Sequence, residues 1–517
     1  MEKMLIGKGT GDAYLLSDKV NQHGLISGAT GSGKTVTLKV IAEQLSALGV
    51  PTVIQDVKGD LSNISVPGAM NDKLAQRLEM LGINEFNFSG FPVEMWDVFG
   101  ETGLPLRVTV TDLGPTLLSQ ILNLNEVQGG ILNILFKVTD KEGLLLLDLK
   151  DLRSALNYMI ERKDELSREY GNISAQSVQS ILRALLTIED EGGDIFLGEP
   201  GLEITDMLRT DANGRGVVNI IQANRLIQSP TLYATFLLWM ISEIYESLPE
   251  VGNLDKPKLV FFFDEAHLLF NGISSSLEQK ILQTVRLIRS KGVGIFFITQ
   301  NPLDIPDSIS SQLGNRVVHQ LRAFSPKDEK AVKSVADTFR ANPNLNTYSE
   351  ILGLRTGEAV ISFLNEDGAP AEAEKAMILP PKSSFTALDS VMTKAMVMTS
   401  PLYNKYKACV DRESAYEMLN RKILEREQEL EAQRLEAAHK LELEQIEKAH
   451  KAEIAKLEKE KLKAEKEAEK ASLKKAGQVG RPKKSVMEKG VDSFMGSVSR
   501  AVGREIARNV FGSLLKR

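Results

Sequence analysis

Short unbroken apolar runs alternate along this chain with stretches in which apolar residues recur every three or four positions. Gly24 to Ser27, Pro51 to Gln55, Gly216 to Ile221, Lys258 to Phe263 and Gly292 to Ile298 have the length and flanks of fully buried strands. Asn315 to Leu321 and Gly357 to Phe363 supply further strands. Between them, Thr35 to Leu48, Thr231 to Tyr245 and Ile281 to Ser290 have helical spacing; Leu38, Ile41, Ala42 and Leu45, for example, share one face. This alternation predicts an α/β fold, a doubly wound and mostly parallel sheet. Residues 1–23 are too few for a domain of their own, and are expected to add an edge strand or a turn before the first core strand.

The alternation breaks between about Glu101 and Pro200. A strand over Leu106 to Thr111 is expected there, followed by helical patterns such as Leu117, Leu118, Ile121 and Leu122, or Leu152, Leu156, Met159 and Ile160. We read a helical insertion, about 112–200, inside a core domain of residues 1–385. A helical connector over 386–411 follows. Residues 412–476 are mostly Glu, Lys, Ala and Leu without proline or glycine, which predicts a long charged helix with many i,i+4 Glu–Lys pairs, about 100 Å long at about 1.5 Å per residue. Leu430, Ala437, Leu441 and Leu457 do not hold one seven-residue seam, so a single helix and a coiled coil are both open. Residues 477–517 form a basic segment. It contains Gly480-Arg481-Pro482, similar to the minor-groove AT-hook although a basic hinge is the plainer reading, and an amphipathic pattern that includes Phe494, Met495, Val498 and Val502.

Composition narrows the picture. The chain has 517 residues, enough for two to four domains, and a net charge of −6. From Lys470 onward there are twelve Lys/Arg and three Asp/Glu, a balance of +9 that leaves −15 on the rest. An acidic body with a basic tail points to an anionic partner for the tail or to a simply solvated tail. Cys409 is the one cysteine, which excludes an internal disulfide framework. No run of about twenty apolar residues is present and the N-terminus lacks a signal-type apolar region, so a cytoplasmic location is expected.

The candidate chemistry begins with Gly28-Ala29-Thr30-Gly31-Ser32-Gly33-Lys34-Thr35, which fits the phosphate-binding pattern G-x-x-x-x-G-K-[ST] between a strand and a helix. A glycine-rich turn points consecutive N–H groups at an anion, and the following helix offers its positive end. Lys34 can neutralise terminal phosphate oxygens of ATP, and the Thr35 hydroxyl can bind Mg²⁺. The run Phe261-Phe262-Phe263-Asp264-Glu265 is a buried strand ending in two acids, Asp264 to hold Mg²⁺ through water and Glu265 to polarise an attacking water. His267 is read as a local hydrogen-bonding residue. Gln300, at the end of Ile298-Thr299-Gln300-Asn301, is placed to sense a γ-phosphate or orient water. Asp56 and Asp60 flank a turn after the second core strand, and are either close to phosphate and metal or ordinary turn residues.

Taken together and in this order, the Gly28–Thr35 loop, the Asp56-Val57-Lys58-Gly59-Asp60 turn, the Phe-Phe-Phe-Asp-Glu-Ala-His strand and Ile-Thr-Gln-Asn-Pro resemble the HerA–FtsK class of ring ATPases, specifically its bacterial HerA-like (YjgR-type) branch. The resemblance covers roughly residues 5–380. It implies an additional-strand P-loop fold, ATP hydrolysis and a hexameric ring translocating double-stranded DNA. It also implies that an arginine before the late strand reaches a neighbouring subunit's nucleotide; the matching position is Arg289, with Arg286 close by. The resemblance departs at the N-terminus, where HerA proper carries a β-barrel and 27 residues precede Gly28 here, so ring assembly and DNA threading are expected to differ. Two functions follow: a DNA motor, or an ATPase acting on a protein or membrane-associated partner docked through the long helix and the amphipathic end.

Overall fold

The computed structural model describes residues 1–475 apart from Asn253 and residues 271–274. The basic segment expected over 477–517, with Gly480-Arg481-Pro482, lies outside the described residues. The chain divides into two compact units, Met1–Ile423 and Leu424–Arg517.

The first unit is built on one sheet of twelve strands: β1 (Lys3–Gly9), β2 (Asp12–Leu16), β3 (Gly24–Ser27), β4 (Thr52–Asp56), β5 (Val93–Asp97), β6 (Leu104–Pro105), β7 (Val218–Gln222), β8 (Leu259–Phe263), β9 (Val293–Thr299), β10 (Asn315–His319), β11 (Glu358–Ser362) and β12 (Glu374–Ile378). Their order is β2-β1-β12-β11-β10-β3-β9-β8-β4-β7-β5-β6. From β10 to β6 every neighbouring pair is parallel. From β2 to β10 every pair is antiparallel. The N-terminal residues thus enter as a hairpin at the antiparallel edge.

Strands β3, β4, β7, β8 and β9 are buried along their whole length, as continuous apolar runs require. Alternate side chains leave on opposite faces. Ile54, Val260, Phe262, Phe296 and Ile298 pack with Leu38, Ile41 and Leu45 of the helix Lys34–Ala47. Val53, Phe261, Phe263, Ile295 and Phe297 pack with Phe236, Leu237 and Ile241 of the helix Pro230–Ser247 and with Val285 and Ile288 of the helix Ser275–Ile288. Ring pairs across β8 and β9, Phe262–Phe296 at 5.4 Å and Phe263–Phe297 at 5.6 Å, fix the register on both faces.

Sheet order places β9 between β3 and β8, so a strand separates the loop-bearing strand from the one ending in Asp264-Glu265. The connection after β3 runs to β4 on one side, whereas β10 adds on the other. The C-terminal end of β3 is therefore a topological switch point, where open α/β sheets bind ligands.

Between β6 and β7 lie the helices Val110–Ile121, Glu126–Glu142, Leu149–Glu161, Lys163–Tyr170 and Ala175–Asp190. The strand expected over Leu106 to Thr111 is not formed. Extended chain runs past Leu106, Val108 makes one isolated bridge to Leu197, and a helix begins at Val110. The reason is local: the Thr109 hydroxyl accepts from the Asp112 N–H and Asp112 returns a bond to the Thr109 N–H, a capping box typically contributing about 1 kcal/mol to the helix alternative. Beyond the sheet, Tyr406 is fully buried and donates to Asp206 at 2.5 Å, and the Ser414 hydroxyl donates to Asp151 at 2.6 Å. The helix Ala415–Lys475 follows. Among the described residues no helix is long and apolar enough to cross a membrane.

Candidate functional site

The loop between β3 and the helix Lys34–Ala47 turns on three glycines with positive φ: Gly28 (155°), Gly31 (76°) and Gly33 (124°). At Gly28 space matters as well as torsion, because a Cβ there would lie 2.5 Å from His319 Cβ and 2.6 Å from Ser32 Oγ. The loop is pinned from outside. Gly28 N–H donates to Thr299 O (3.3 Å), Ala29 N–H to Gln320 O (2.8 Å), and Gly357 N–H to Ser32 O (2.8 Å). His319 lies beneath it, bonded through Nε2 to the Thr37 hydroxyl (2.8 Å) and through Nδ1 to Glu358 O (2.9 Å). Burial pushes this imidazole down to about 4, so the loop rests on a neutral ring.

Lys34 is 6 % exposed and its Nζ donates to Gly28 O (2.6 Å) and Ala29 O (3.2 Å). Burial lowers its pKa, with the Glu265 carboxylate pulling the other way. Thr35, half-buried, stands at the first turn of the same helix. Ala29, Thr30, Gly31 and Ser32 complete the loop. The Thr30 hydroxyl donates to Gln300 Oε1 at 3.0 Å.

At the end of β8 both acids are buried. Asp264 accepts the Glu265 N–H at 3.0 Å, and burial pushes its carboxyl up to about 6, with Lys58 opposing. Glu265 has φ 49°, left-handed backbone that costs a non-glycine residue roughly 1–2 kcal/mol. Such strain is retained where the surroundings over-determine a side chain. Here Gln300 Nε2 donates to both Glu265 oxygens (3.1 and 3.3 Å), Lys58 Nζ stands 3.2 Å from Oε1, and His267 Nδ1 is 3.5 Å from Oε2. Burial pushes Glu265 up, but Gln300 and Lys58 together outweigh it and hold the carboxyl below its ordinary value. Thr30, Gln300, Glu265 and Lys58 thus form one continuous polar chain across the C-terminal ends of β3, β9, β8 and β4.

Lys58 was not legible as a functional residue. The signal lies in its turn, between Asp56 and Asp60. Asp56 is fully buried, and its oxygens accept the N–H groups of Lys58 (3.1 Å), Gly59 (2.7 Å) and Leu61 (2.9 Å). Asp60 is exposed. Asp56 is therefore the turn residue of the two readings, and its work is to hold out Lys58.

Arg289 does not join this group. It is exposed, within electrostatic range of His23 at the start of β3, and it precedes β9. Strand β9 has seven residues, so about 20 Å of extended chain separates Arg289's end of the sheet from the end that meets the loop. Arg286 is also exposed, one turn earlier.

Next to the loop is a cavity of about 480 Å³ lined by Arg355, Thr356, Arg77, Met80 and Phe385 among others. Its wall is continuous with the loop through the Gly357–Ser32 bond, and Arg77 fastens the same turn by donating to Gly357 O and Ile378 O, both at 2.7 Å. Phe385 is 56 % exposed but held from behind. Buried Lys39 donates to Asn63 Oδ1 (2.8 Å) and Ser384 O (2.5 Å), and buried Glu43 accepts from the N–H groups of Lys382 (2.7 Å) and Ser383 (3.1 Å).

The chain is 22% identical over 363 residues to a protein of Sulfolobus acidocaldarius named DNA double-strand break repair helicase HerA, covering 69% of this chain and 66% of that one. It is 25% identical over 370 residues to the protein of the same name from Saccharolobus solfataricus, covering 69% and 64%. The chain thus spans just under two thirds of the length of these curated relatives. Among solved structures, the plasmid coupling protein TrwB in complex with ADP and Mg²⁺ aligns with a TM-score of 0.49 at 16% identity, covering 75% of this chain and 92% of that one. The family model described as "Helicase HerA-like C-terminal" matches residues 3–517, and the chain belongs to that family.

Proposed function

We propose that this chain is an ATP-hydrolysing motor acting on double-stranded DNA as a homo-oligomeric, hexameric ring. The observation that carries it is the convergence of Lys34, Thr35, Asp264, Glu265 and Gln300 at the ends of three adjacent parallel strands, over a loop whose N–H groups and helix terminus favour phosphate. The DNA part rests on the family and on the names of the HerA relatives.

Lys34 would exchange its two carbonyl partners for β/γ-phosphate oxygens, the stronger acceptors. The Thr35 hydroxyl and the Asp264 carboxylate are hard oxygen donors of the kind Mg²⁺ takes, and a carboxyl pushed up by burial is one that a cation would relieve. When bound, the ion supplies charge neutralisation on the phosphates. Glu265 stays ionised and accepts the proton of the attacking water. Gln300 joins Glu265 to Thr30 and so couples the base to the phosphate loop. Arg289 is too far from its own loop, and serves a neighbouring subunit.

Two outcomes are expected. Glu265→Gln retains ATP affinity while turnover falls by about 10²–10⁴, the range for a positioned base; equilibrium binding beside steady-state hydrolysis separates the two, and lost binding with retained turnover would reverse the assignment of Lys34 and Glu265. The cavity beside the loop would take the adenine, with Phe385 as its stacking face. Phe385→Ala is then expected to raise KM for ATP about tenfold, as base–aromatic stacking contributes about 1–3 kcal/mol, while inorganic triphosphate binds as before. The experiment on the whole reading is ATP hydrolysis with and without duplex DNA at rising salt. Stimulation that fades with salt is expected of a motor on phosphate backbone. Hydrolysis indifferent to DNA would instead favour the protein or membrane-associated partner.

A further inference from the structure

The helix Ala415–Lys475 shows no seven-residue seam, yet it carries a strict eleven-residue one. Leu424, Leu435, Ile446, Leu457 and Ala468 recur at intervals of 11 residues. Eight residues after the first three of these come Ala432, Leu443 and Ile454. Midway, four residues after the first four, sit Gln428, His439, His450 and Lys461. Steps of 4, 4 and 3 residues make three helical turns per repeat, 3.67 residues per turn, so the stripe stays on one face along the whole segment with a shallow right-handed supercoil. Its apolar members are left open to solvent: Leu435 is 63% exposed, Ile446 58% and Leu457 56%. A solitary helix held by Glu–Lys pairs has no physical reason to place in one register six of the nine large apolar residues exposed from Leu424 onward among the described residues.

Charge identifies the occupant. Residues 424–447 hold eight Glu against three Lys/Arg, and residues 448–475 hold six Glu against ten Lys. Acids also flank the seam on both sides, Glu436 and Glu447 on one and Glu431 and Glu442 on the other. In a parallel pair these acids face their own copies and Lys461 faces Lys461. Antiparallel pairing lays the acidic half on the basic half and sets Lys461 opposite Ala432 of the other copy, between Glu431 and Glu436.

We propose that residues 424–468 pair with the same segment of a second copy of this chain, antiparallel through the eleven-residue seam, with the two-fold axis close to Ile446. The change of charge between Glu447 and Lys448 fixes that centre, and the steps read backwards from Ile446 bring Leu435 opposite Leu457. This contact is isologous, unlike the head-to-tail contact a ring requires, and so joins copies independently of the ATPase contact.

The test uses the full chain with Cys409→Ser, carrying either Leu435→Cys or Leu457→Cys, co-expressed and mildly oxidised. A disulfide needs Cβ atoms about 3.5–4.5 Å apart, so the mixed 435–457 product is expected to exceed each homodimeric product about tenfold. Leu441→Cys, on the opposite face of the helix, sets the background. Predominant 435–435 and 457–457 products would mean parallel pairing and overturn the proposal. Cross-linking no greater than for Leu441→Cys would mean a solitary helix and overturn it equally.

Discussion

Lys34→Ala is expected to lose nucleotide binding and hydrolysis together, with the unfolding transition almost unmoved. Lys34 is the side-chain cation of the phosphate loop, and its Nζ already sits within 3.2 Å of two loop carbonyls. Nothing else in the loop can take its place: Ala29, Thr30, Ser32 and Thr35 carry no charge, and Lys58 is engaged with Glu265. The fold tolerates the loss for a separate reason. Two carbonyl oxygens lose a donor, but a buried ammonium whose pKa is depressed by desolvation is removed at the same time. Thermal unfolding beside ATP binding distinguishes these effects, and near-normal turnover in a folded Lys34→Ala protein would refute the loop assignment.

Arg289→Ala is expected to lower hydrolysis by about 10³–10⁵, the range for arginines that stabilise phosphoryl-transfer charge. The residue stands at the opposite end of the parallel strands from its own loop, so in the proposed ring it would reach a nucleotide only across a subunit boundary. Mixing Arg289→Ala with Glu265→Gln chains is the decisive measurement. Each lacks a different half of a shared site, so some interfaces in mixed assemblies combine an intact Glu265 with an intact Arg289, and activity partly returns. No recovery in assemblies shown to be mixed would count against an arginine acting in trans. Full activity of Arg289→Ala alone would move the role to Arg286, which is exposed nearby. Arg316 is a poorer substitute, because it is tied within its own subunit to Thr338 and Ser310 O.

Much of this site is local in origin, which is why it can be read along the chain. A P-loop is eight consecutive residues, and its glycines answer to torsion and close approach within that span. An acid pair ending a five-residue apolar strand is equally local. The strands β3, β4, β8 and β9 are continuous apolar runs because both faces are covered, and that pattern survives in one dimension. The eleven-residue seam is also present in the sequence, but it shows only when a period other than seven is tried.

What tertiary structure alone decided are the pairings. Gln300 meets Glu265 and Thr30 only because β9 lies between β8 and β3, an order set by sheet assembly and not by any residue pattern. Lys58 reaches Glu265 because Asp56 spends its carboxylate on three backbone N–H groups, a use indistinguishable in sequence from a metal ligand's. The strand expected over Leu106 to Thr111 gives way to a helix start at Thr109, because a capping box within four residues outweighed β propensity. Phe385 becomes a wall beside the loop through Lys39 and Ser384, 345 residues apart. The sequence determined the phosphate-loop and acid-pair motifs, since each is satisfied by its neighbours in the chain. Which of them share a proton, a charge or a cavity was settled by the folded sheet, because those bonds join segments whose separation leaves no local pattern.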